Sequence, residues 1–494
     1  MEVEPNRVGK FPFKMLDSKK RTENFSEVQL PYTEEEVIKE AERCLLCGTP
    51  VCIDACPVLL DVRGMNEAVA RGDFKKAHDR IRETNSLLGV TARCCPQLQG
   101  LCEDACVLRW SGQPIGIGLI QRYIADWEQK QQSKQKPSML ADTGKTVAIV
   151  GAGPAGLAGA ELLKRYGHRV RIYEELMTPG GTAWYGIPDY HLPKEVLLYE
   201  IDRIVEMGIE IITGTKIGRD LTLAQLKEEN NAVLITTGSK DVNKLNTPGI
   251  ELIGVLDGYQ FLEDVFIHGV DSYTTNPQKH QLGKQVVVIG GGDTAIDCAR
   301  TALRLTQGDI KIAYRRTEND LPADPIMLQE AKEEGIEFVF LVEPKAYEGE
   351  NGRIKSISMN RMKLGTPDQT GRKIPEPIPN QEFEMKCTSA ILAVGRGPNS
   401  FIQTNAGIKT GKHDSIAIDN QYKTSINGVF AAGDVTTGET LVVKAMASGR
   451  EAAERVHEYL MNLQDCHVSF YERYYKQNFY DRMLEGGKAG PPPE

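Results

Sequence analysis

A chain of 494 residues with 40% hydrophobic and 26% charged side chains has room for about three domains and for substantial buried cores. No apolar run approaches the roughly 18 residues of a membrane span. A net charge of −9 argues against nucleic acid as the main partner, because phosphate recognition needs a basic face and none stands out. The opening stretch MEVEPNRVGKFPFKM has no apolar h-region and no small-residue cleavage site, so the expected location is cytoplasmic.

Residues 1 to 30 are polar without a sustained period, which predicts an extended arm lying on the body of the protein. Thr33 can cap a helix with Glu34, Glu35 and Glu36 in its first turn, and Val37, Ala41 and Leu45 continue it toward the first cysteines. Eleven cysteines are present, and eight of them fall between Cys44 and Cys106. Such clustering asks for metal, with disulfides as the bland alternative in a long chain that has no signal peptide. The first arm is Cys44-Leu-Leu-Cys47, then Cys52, then Cys56-Pro57. Helical patterns follow around residues 65–70 and 74–81, and a second arm runs Cys94-Cys95-Pro96 to Cys102 and Cys106. A Cys-Pro ending is typical of ferredoxin-like loops, where the last cysteine commonly serves a different cluster from the first three. Seven or eight thiolates are enough for two [4Fe-4S] clusters; structural zinc, which shares the C-x2-C spacing, is the alternative metal.

Residues 128–144, rich in Gln, Lys and Ser, mark a solvated linker and a domain boundary. An apolar run of strand length at 147–150 then leads into Gly151-x-Gly153-x-x-Gly156, with Pro154 and Ala155 opening a helical pattern. Gly151 allows the tight turn, Gly153 lets the backbone approach a pyrophosphate, and Gly156 lets helix and strand pack closely. A second strand over 168–173 ends at Glu174, 23 residues after Gly151, where a carboxylate would accept hydrogen bonds from a ribose. This is the expected flavin site. The segment 180–194 carries Gly181 and breaks regular structure, and Trp184 and Tyr185 within it are candidates for stacking on a ring.

A second fingerprint occupies residues 284–300, with Gly290-x-Gly292-x-x-Ala295 and with Asp293 and Thr294 opening the helix. Its next strand, over 310–314, ends in Arg315-Arg316 and not in an acid. Guanidinium there can pair bidentately with a 2′-phosphate, so NADPH is expected over NADH; an ordinary surface pair of arginines is the bland alternative. Residues 336–394 alternate short apolar runs with polar turns up to Gly395, predicting strands that return the chain to the flavin domain. The segment GVFAAGD then brings Gly433 and Asp434 to a helix over 441–456, which puts Asp434 within reach of ribityl or phosphate-linked hydroxyls of a flavin.

In this order of two cysteine arms, flavin fingerprint, NADPH fingerprint and AAGD strand, the chain resembles the glutamate synthase small (beta) subunit family over nearly its whole length. The same module looks to be shared with the large subunit of NADH-dependent ferredoxin:NADP oxidoreductase and the N-terminal half of dihydropyrimidine dehydrogenase. The resemblance implies an α/β fold, with an N-terminal helical iron-sulfur domain (1–140) followed by two Rossmann-like dinucleotide-binding domains. FAD would be bound by 141–250 with 389–465 and NADPH by 251–388, leaving 466–494 as a tail. It also implies one cluster on Cys44, Cys47, Cys52 and Cys106, and a second on Cys56, Cys95 and Cys102 with Gln121 as the non-cysteine ligand. Two features depart from the pattern: six residues separate Cys95 from Cys102 where five are expected, and Cys94 is an extra thiol.

Together these imply an electron-input subunit in which NADPH gives a hydride to FAD and electrons leave singly through two [4Fe-4S] clusters. No side chain need act as a nucleophile, so the expected site residues are binders. Residue 2 is Glu where an N-terminal-nucleophile glutaminase would need Cys, and no third cofactor domain is visible. The expected partner is therefore a larger catalytic subunit, that of glutamate synthase making L-glutamate, with a ferredoxin-linked bifurcating transhydrogenase or another reductase as alternatives. A thioredoxin-reductase-like enzyme is disfavoured because Cys298 lacks a C-x-x-C mate. A zinc-stabilised docking module on a simple flavoprotein is the non-redox alternative. Near the C-terminus, Phe470, Tyr471, Tyr474, Tyr475, Phe479 and Tyr480 predict a helix face that either packs on the flavin domain or helps anchor the larger subunit.

Overall fold

The computed structural model describes residues 11–12, 14–96, 99–131, 137–242, 246–268, 282–368 and 371–463; the aromatic tail lies outside them. The N-terminal third is helical, with its main helices at Glu34–Glu42, Val62–Ala70, Phe74–Arg82, Leu88–Cys94 and Ile117–Lys130. The capping box expected at Thr33 is formed, since its side chain accepts from the Glu36 N–H and Glu36 accepts from the Thr33 N–H. Val37, Met65, Ile81, Leu88, Ile120 and Ile124 are fully buried at the centre of these helices. Their core is continuous with that of the following unit, through residues such as Leu157, Leu197 and Ile201. The last helix runs on to Lys130, three residues into the stretch read as linker.

Two parallel five-stranded sheets follow. The first has the order Val429–Ala431, Ala232–Ile235, Thr146–Val150, Arg169–Tyr173, Glu210–Ile212. The second has the order Glu337–Phe340, Asp309–Tyr314, Gln285–Gly290, Ser389–Ala393, Val255–Asp257. Both central strands are apolar at nearly every position, as expected when helices or a further layer cover both faces of a parallel sheet. One face of the second sheet packs on Phe261, Val265, Ile296 and Ala299; the other packs on a three-stranded antiparallel sheet, Val342–Glu350, Arg353–Pro367 and Lys373–Lys386.

The strands within 336–394 were expected to return the chain to the first sheet, with the boundary at 389. Instead Ser389–Ala393 pairs in parallel with Gln285–Gly290 and Val255–Asp257, at the heart of the second sheet. Alternation and apolar runs identify strands but not their partners. The return comes only after it, through Arg396–Gly397 pairing with Asp241–Val242.

Buried ion pairs tie the units together. Arg82 of the helical domain donates to Glu200 at 2.8 Å, and Arg203 donates to Glu161 and to the Ser86 carbonyl. Arg450 reaches the Ser86 hydroxyl at 2.9 Å. Between the two sheets, the Tyr190 hydroxyl donates to the Asp297 carbonyl at 3.2 Å, and Arg300 lies 3.0 Å from His191 Nε2. The arm straps all three units: Glu27 pairs with Arg93 and Arg122, Val28 N–H donates to the Tyr190 carbonyl, and Arg21 pairs with Glu333. Breaking one side of a buried pair such as Arg82–Glu200 strands a buried charge and costs about 3–5 kcal/mol. Among the described residues no helix is long and apolar enough to cross a membrane.

Candidate functional site

The first glycine turn is shaped by close backbone approach. Gly151 has φ +106°, and a Cβ there would lie 2.6 Å from the Thr236 carbonyl oxygen. A Cβ on Gly156 would lie 2.0 Å from the Gly151 oxygen, so the helix Pro154–Arg165 can start only where that residue has no side chain. Gly153 faces open space, its nearest neighbour being the Gly181 Cα at 4.0 Å, and Gly181 takes φ +55°. Gly151, Gly153 and Gly181, with Pro154, Ala155, Glu174 and Asp434, line a cavity along the carboxyl edge of the first sheet. Gly433 takes φ +74°, and a Cβ on it would lie 2.9 Å from the Ala155 Cβ.

Glu174 is buried and accepts from the Ala152 and Leu176 N–H groups at 2.8 and 2.9 Å, which holds its carboxylate at the cavity wall. Thr237 Oγ1, in the same wall, is buried with no hydrogen-bond partner among the described residues. A glycine cradle, a helix N-terminus, a held carboxylate and an unsatisfied hydroxyl together fit a dinucleotide.

A larger cavity of ≈ 1200 Å³ opens beside it. Gly290, Gly292, Asp293 and Thr294 line it at the second glycine turn, where a Cβ on Gly290 would lie 2.2 Å from the Ala393 oxygen. Ala295 is fully buried behind that turn. Arg315, Arg316 and Gly395 line the same cavity, as does Asp434, which is shared with the first. Burial pushes the carboxyl groups of Asp434 and Asp293 up to about 6, the latter against a hydrogen bond from the Asp324 N–H. Cys94, Cys95 and Pro96 form part of the wall as well, so the cysteine domain meets both nucleotide-type sites in one space.

Trp184 and Tyr185 line neither cavity. Tyr185 is buried, with its hydroxyl bonded to the Thr178 backbone, and Trp184 packs against the core. Arg372 and Lys240 do line the cavities, yet neither belongs to a motif that would have singled it out.

The thiols form two sets that touch where Cys52 neighbours Cys102. Burial pushes Cys52 up to about 12, and the nearby Cys44, Cys106 and Cys47 add to the shift. Burial likewise raises Cys44, with Cys47 and Cys106 nearby adding to the shift. Cys95 is raised well above its ordinary value by burial and then by Cys56 and Cys94. Cys102 is raised by burial, with Cys56, Glu103, Cys95 and Cys52 around it. Desolvated neighbouring thiols cannot all ionise without a cation to take their charge, and the metal ions of a cluster supply it by accepting the thiolate donors. Among the described residues no three His, Cys, Asp or Glu side chains converge as the ligands of a single ion do. Gln121 is buried on the helix Ile117–Lys130, which packs against Leu88–Cys94, the helix that leads into Cys95. Two buried carboxylates fix that helix start: Glu40 accepts from the Gly116 N–H and Glu103, next to Cys102, from the Gly118 N–H.

Residues 145–449 match the pyridine nucleotide-disulphide oxidoreductase family, and residues 21–133 match the 4Fe-4S domain II of dihydropyrimidine dehydrogenase. The chain is 33% identical to the glutamate synthase [NADPH] small chain of Azospirillum brasilense, over 89% of this chain and 92% of that one. It is 34% identical to the corresponding small chain of Escherichia coli, over 88% and 94%. It is 35% identical to the NADP(+)-dependent formate dehydrogenase subunit beta of Moorella thermoacetica, covering 83% of this chain but 60% of that longer one. Among solved structures, Mycobacterium tuberculosis FprA in complex with NADPH aligns with TM-score 0.52 at 18% identity, over 71% of this chain and 87% of that one, a likeness of fold. A 4Fe-4S domain, FAD and NAD(P) sites and an electron-input role are therefore shared features, and the chain belongs to the glutamate synthase small chain-like family of FAD and 4Fe-4S oxidoreductases.

Proposed function

We propose that the chain oxidises NADPH in the larger cavity, holds FAD in the smaller one, and passes electrons through two [4Fe-4S] clusters to a larger subunit. The observation that carries this reading is the shared wall: Cys95 lines the same cavity as Arg315, Gly292 and Asp434. FAD supplies the conversion of a hydride's electron pair into single electrons. The chain's own part is positioning. Gly151, Gly153, Glu174, Gly181, Gly433 and Asp434 seat one dinucleotide; Gly290, Gly292, Asp293, Thr294, Ala295 and Gly395 seat the other; Arg315 and Arg316 receive the 2′-phosphate. Cys44, Cys47, Cys52 and Cys106 hold the outer cluster, and Cys56, Cys95 and Cys102 with Gln121 hold the inner one. The neighbour relations of the thiols support this division.

For the partner we favour the large subunit of a glutamate synthase. Two small chains of that enzyme match this chain over more than nine-tenths of their own length. The outer thiol set is rimmed by exposed apolar side chains: Leu45 and Leu46 lie between Cys44 and Cys47, Val51 precedes Cys52, and Val107 and the 94% exposed Trp110 follow Cys106. Exposed large apolar side chains of this kind are what a protein interface buries. The similarity to the formate dehydrogenase beta subunit favours a second reading, as input module of another reductase. Anaerobic purification from the native source decides between them: an FMN- and glutaminase-bearing subunit that co-purifies supports glutamate synthase. Full physiological activity of the isolated chain would sink the partner reading.

A further inference from the structure

We infer that Arg372 is a third guanidinium for the nucleotide 2′-phosphate, delivered by the antiparallel sheet and not by the dinucleotide fold itself. The inference rests on the NADPH reading above and deepens it. In a dinucleotide fold the adenosine ribose lies at the carboxyl end of the second strand, which here is Tyr314, the last residue of Asp309–Tyr314. The Tyr314 ring stands over the glycine turn, since a Cβ on Gly291 would lie 2.6 Å from two of its atoms, and its hydroxyl donates to the Asp320 carbonyl at 2.8 Å. Arg372 reaches this same point from the other layer. Its Nη2 donates to the Tyr314 hydroxyl at 3.4 Å and to the Asp320 carbonyl at 3.2 Å.

The backbone next to it is held too, because Arg316 Nε donates to the Lys373 carbonyl at 3.1 Å. Arg315, Arg316 and Arg372 all line the larger cavity. The bonds of the Arg372 side chain run from one nitrogen to two neutral oxygens, and no carboxylate among the described residues pairs with it. Arg315 has the Glu343 carboxylate at 3.5 Å, but no carboxylate among the described residues pairs with Arg316 or Arg372, which leaves two guanidinium charges on this wall for an anion to neutralise. A planar fork whose other nitrogens are uncommitted suits a phosphate monoester carrying close to two charges. The pyrophosphate belongs elsewhere, at the helix start by Gly292 and Asp293. Contact with the 2′-phosphate would therefore discriminate NADPH from NADH, whereas contact with adenine or pyrophosphate would serve both.

The test is steady-state oxidation of NADPH and NADH by the holoenzyme with a dye acceptor, together with inhibition by 2′,5′-ADP and by 5′-AMP. Arg372→Ala is expected to raise the KM for NADPH and the inhibition constant for 2′,5′-ADP about tenfold, leaving kcat, the KM for NADH and inhibition by 5′-AMP unchanged. Arg372→Lys should recover part of the loss. Should the Ala variant lose FAD or unfold, Arg372→Gln, which keeps the stem, gives the same readout. Equal shifts for both nucleotides, or no shift, in a wild type that prefers NADPH would overturn the role of Arg372 alone. A wild type that prefers NADH and ignores 2′,5′-ADP would overturn the NADPH reading and this inference with it.

Discussion

Gly449 and Ala155 meet backbone to backbone: a Cβ on Gly449 would lie 2.1 Å from the Ala155 carbonyl oxygen. One turn further along, a Cβ on Gly159 would lie 2.9 Å from the Gly449 oxygen. The helices Pro154–Arg165 and Val442–Leu460 thus cross at glycines on both sides, directly behind the first nucleotide turn. Gly449→Ala must push the C-terminal helix away from the residues that open the flavin cavity. Overpacking of this kind costs about 1–3 kcal/mol. The expected result is a lower thermal midpoint and earlier release of flavin, read as fluorescence on heating; a variant with unchanged midpoint and flavin content would show that the crossing relaxes freely.

That crossing was not legible in the sequence, where Gly159 and Gly449 sit singly inside amphipathic helices and belong to no motif. The two glycine turns were legible, because Gly151, Gly156 and Gly290 are positions where the backbone alone forbids any side chain. Strand partners were not. Ser389–Ala393 reads as a buried strand, but nothing in its five residues says which sheet it enters. Arg372 escaped notice for a related reason: it reaches the cavity through the three-stranded sheet, so its role depends on tertiary placement and not on spacing from a fingerprint.

The thiol neighbourhoods make a stoichiometric expectation. Anaerobically purified protein should carry about eight irons and about eight acid-labile sulfides per FAD. Cys106→Ala and Cys102→Ala should each remove about four irons, and should abolish different electron paramagnetic resonance signals. Zinc in place of iron, or loss of one and the same signal in both variants, would contradict the division into an outer and an inner set.

Arg315 is half-exposed and only 3.5 Å from Glu343, whereas Arg316 is buried against the Lys373 carbonyl. A charge-assisted hydrogen bond is worth about 1.5–3 kcal/mol, so replacing both arginines with Ala should raise the KM for NADPH about ten- to a hundredfold. The KM for NADH should change little. Of the single variants, Arg316→Ala should also loosen the antiparallel sheet, and limited proteolysis near Lys373 would report it; Arg315→Ala should not.

The last expectation concerns acid. Glu161 is buried and the Glu334 side chain is enclosed, and burial alone would raise their pKa values. Arg203, Arg165 and Arg450 outweigh it at Glu161, and Arg300 and Arg304 outweigh it at Glu334, so both carboxylates fall from 4.5 to about 2. An acid whose folded pKa lies below its unfolded one binds fewer protons in the folded state. Its stabilisation is complete above pH 4.5 and drains away as the pH falls toward about 2. Each such carboxylate then accounts for stability on the order of 3 kcal/mol at neutral pH. The two serve different joints, since Arg203 also holds Ser86 of the helical domain while Arg304 also holds Asn24 of the arm. Glu161→Gln should therefore flatten the acid limb of the unfolding profile and release the helical domain first, seen as cluster bleaching. Glu334→Gln should flatten it while freeing the arm and the second nucleotide domain, seen as proteolysis near Asn24 with the clusters intact. Identical acid profiles for wild type and both variants would show that these carboxylates titrate alike in the folded and unfolded chain.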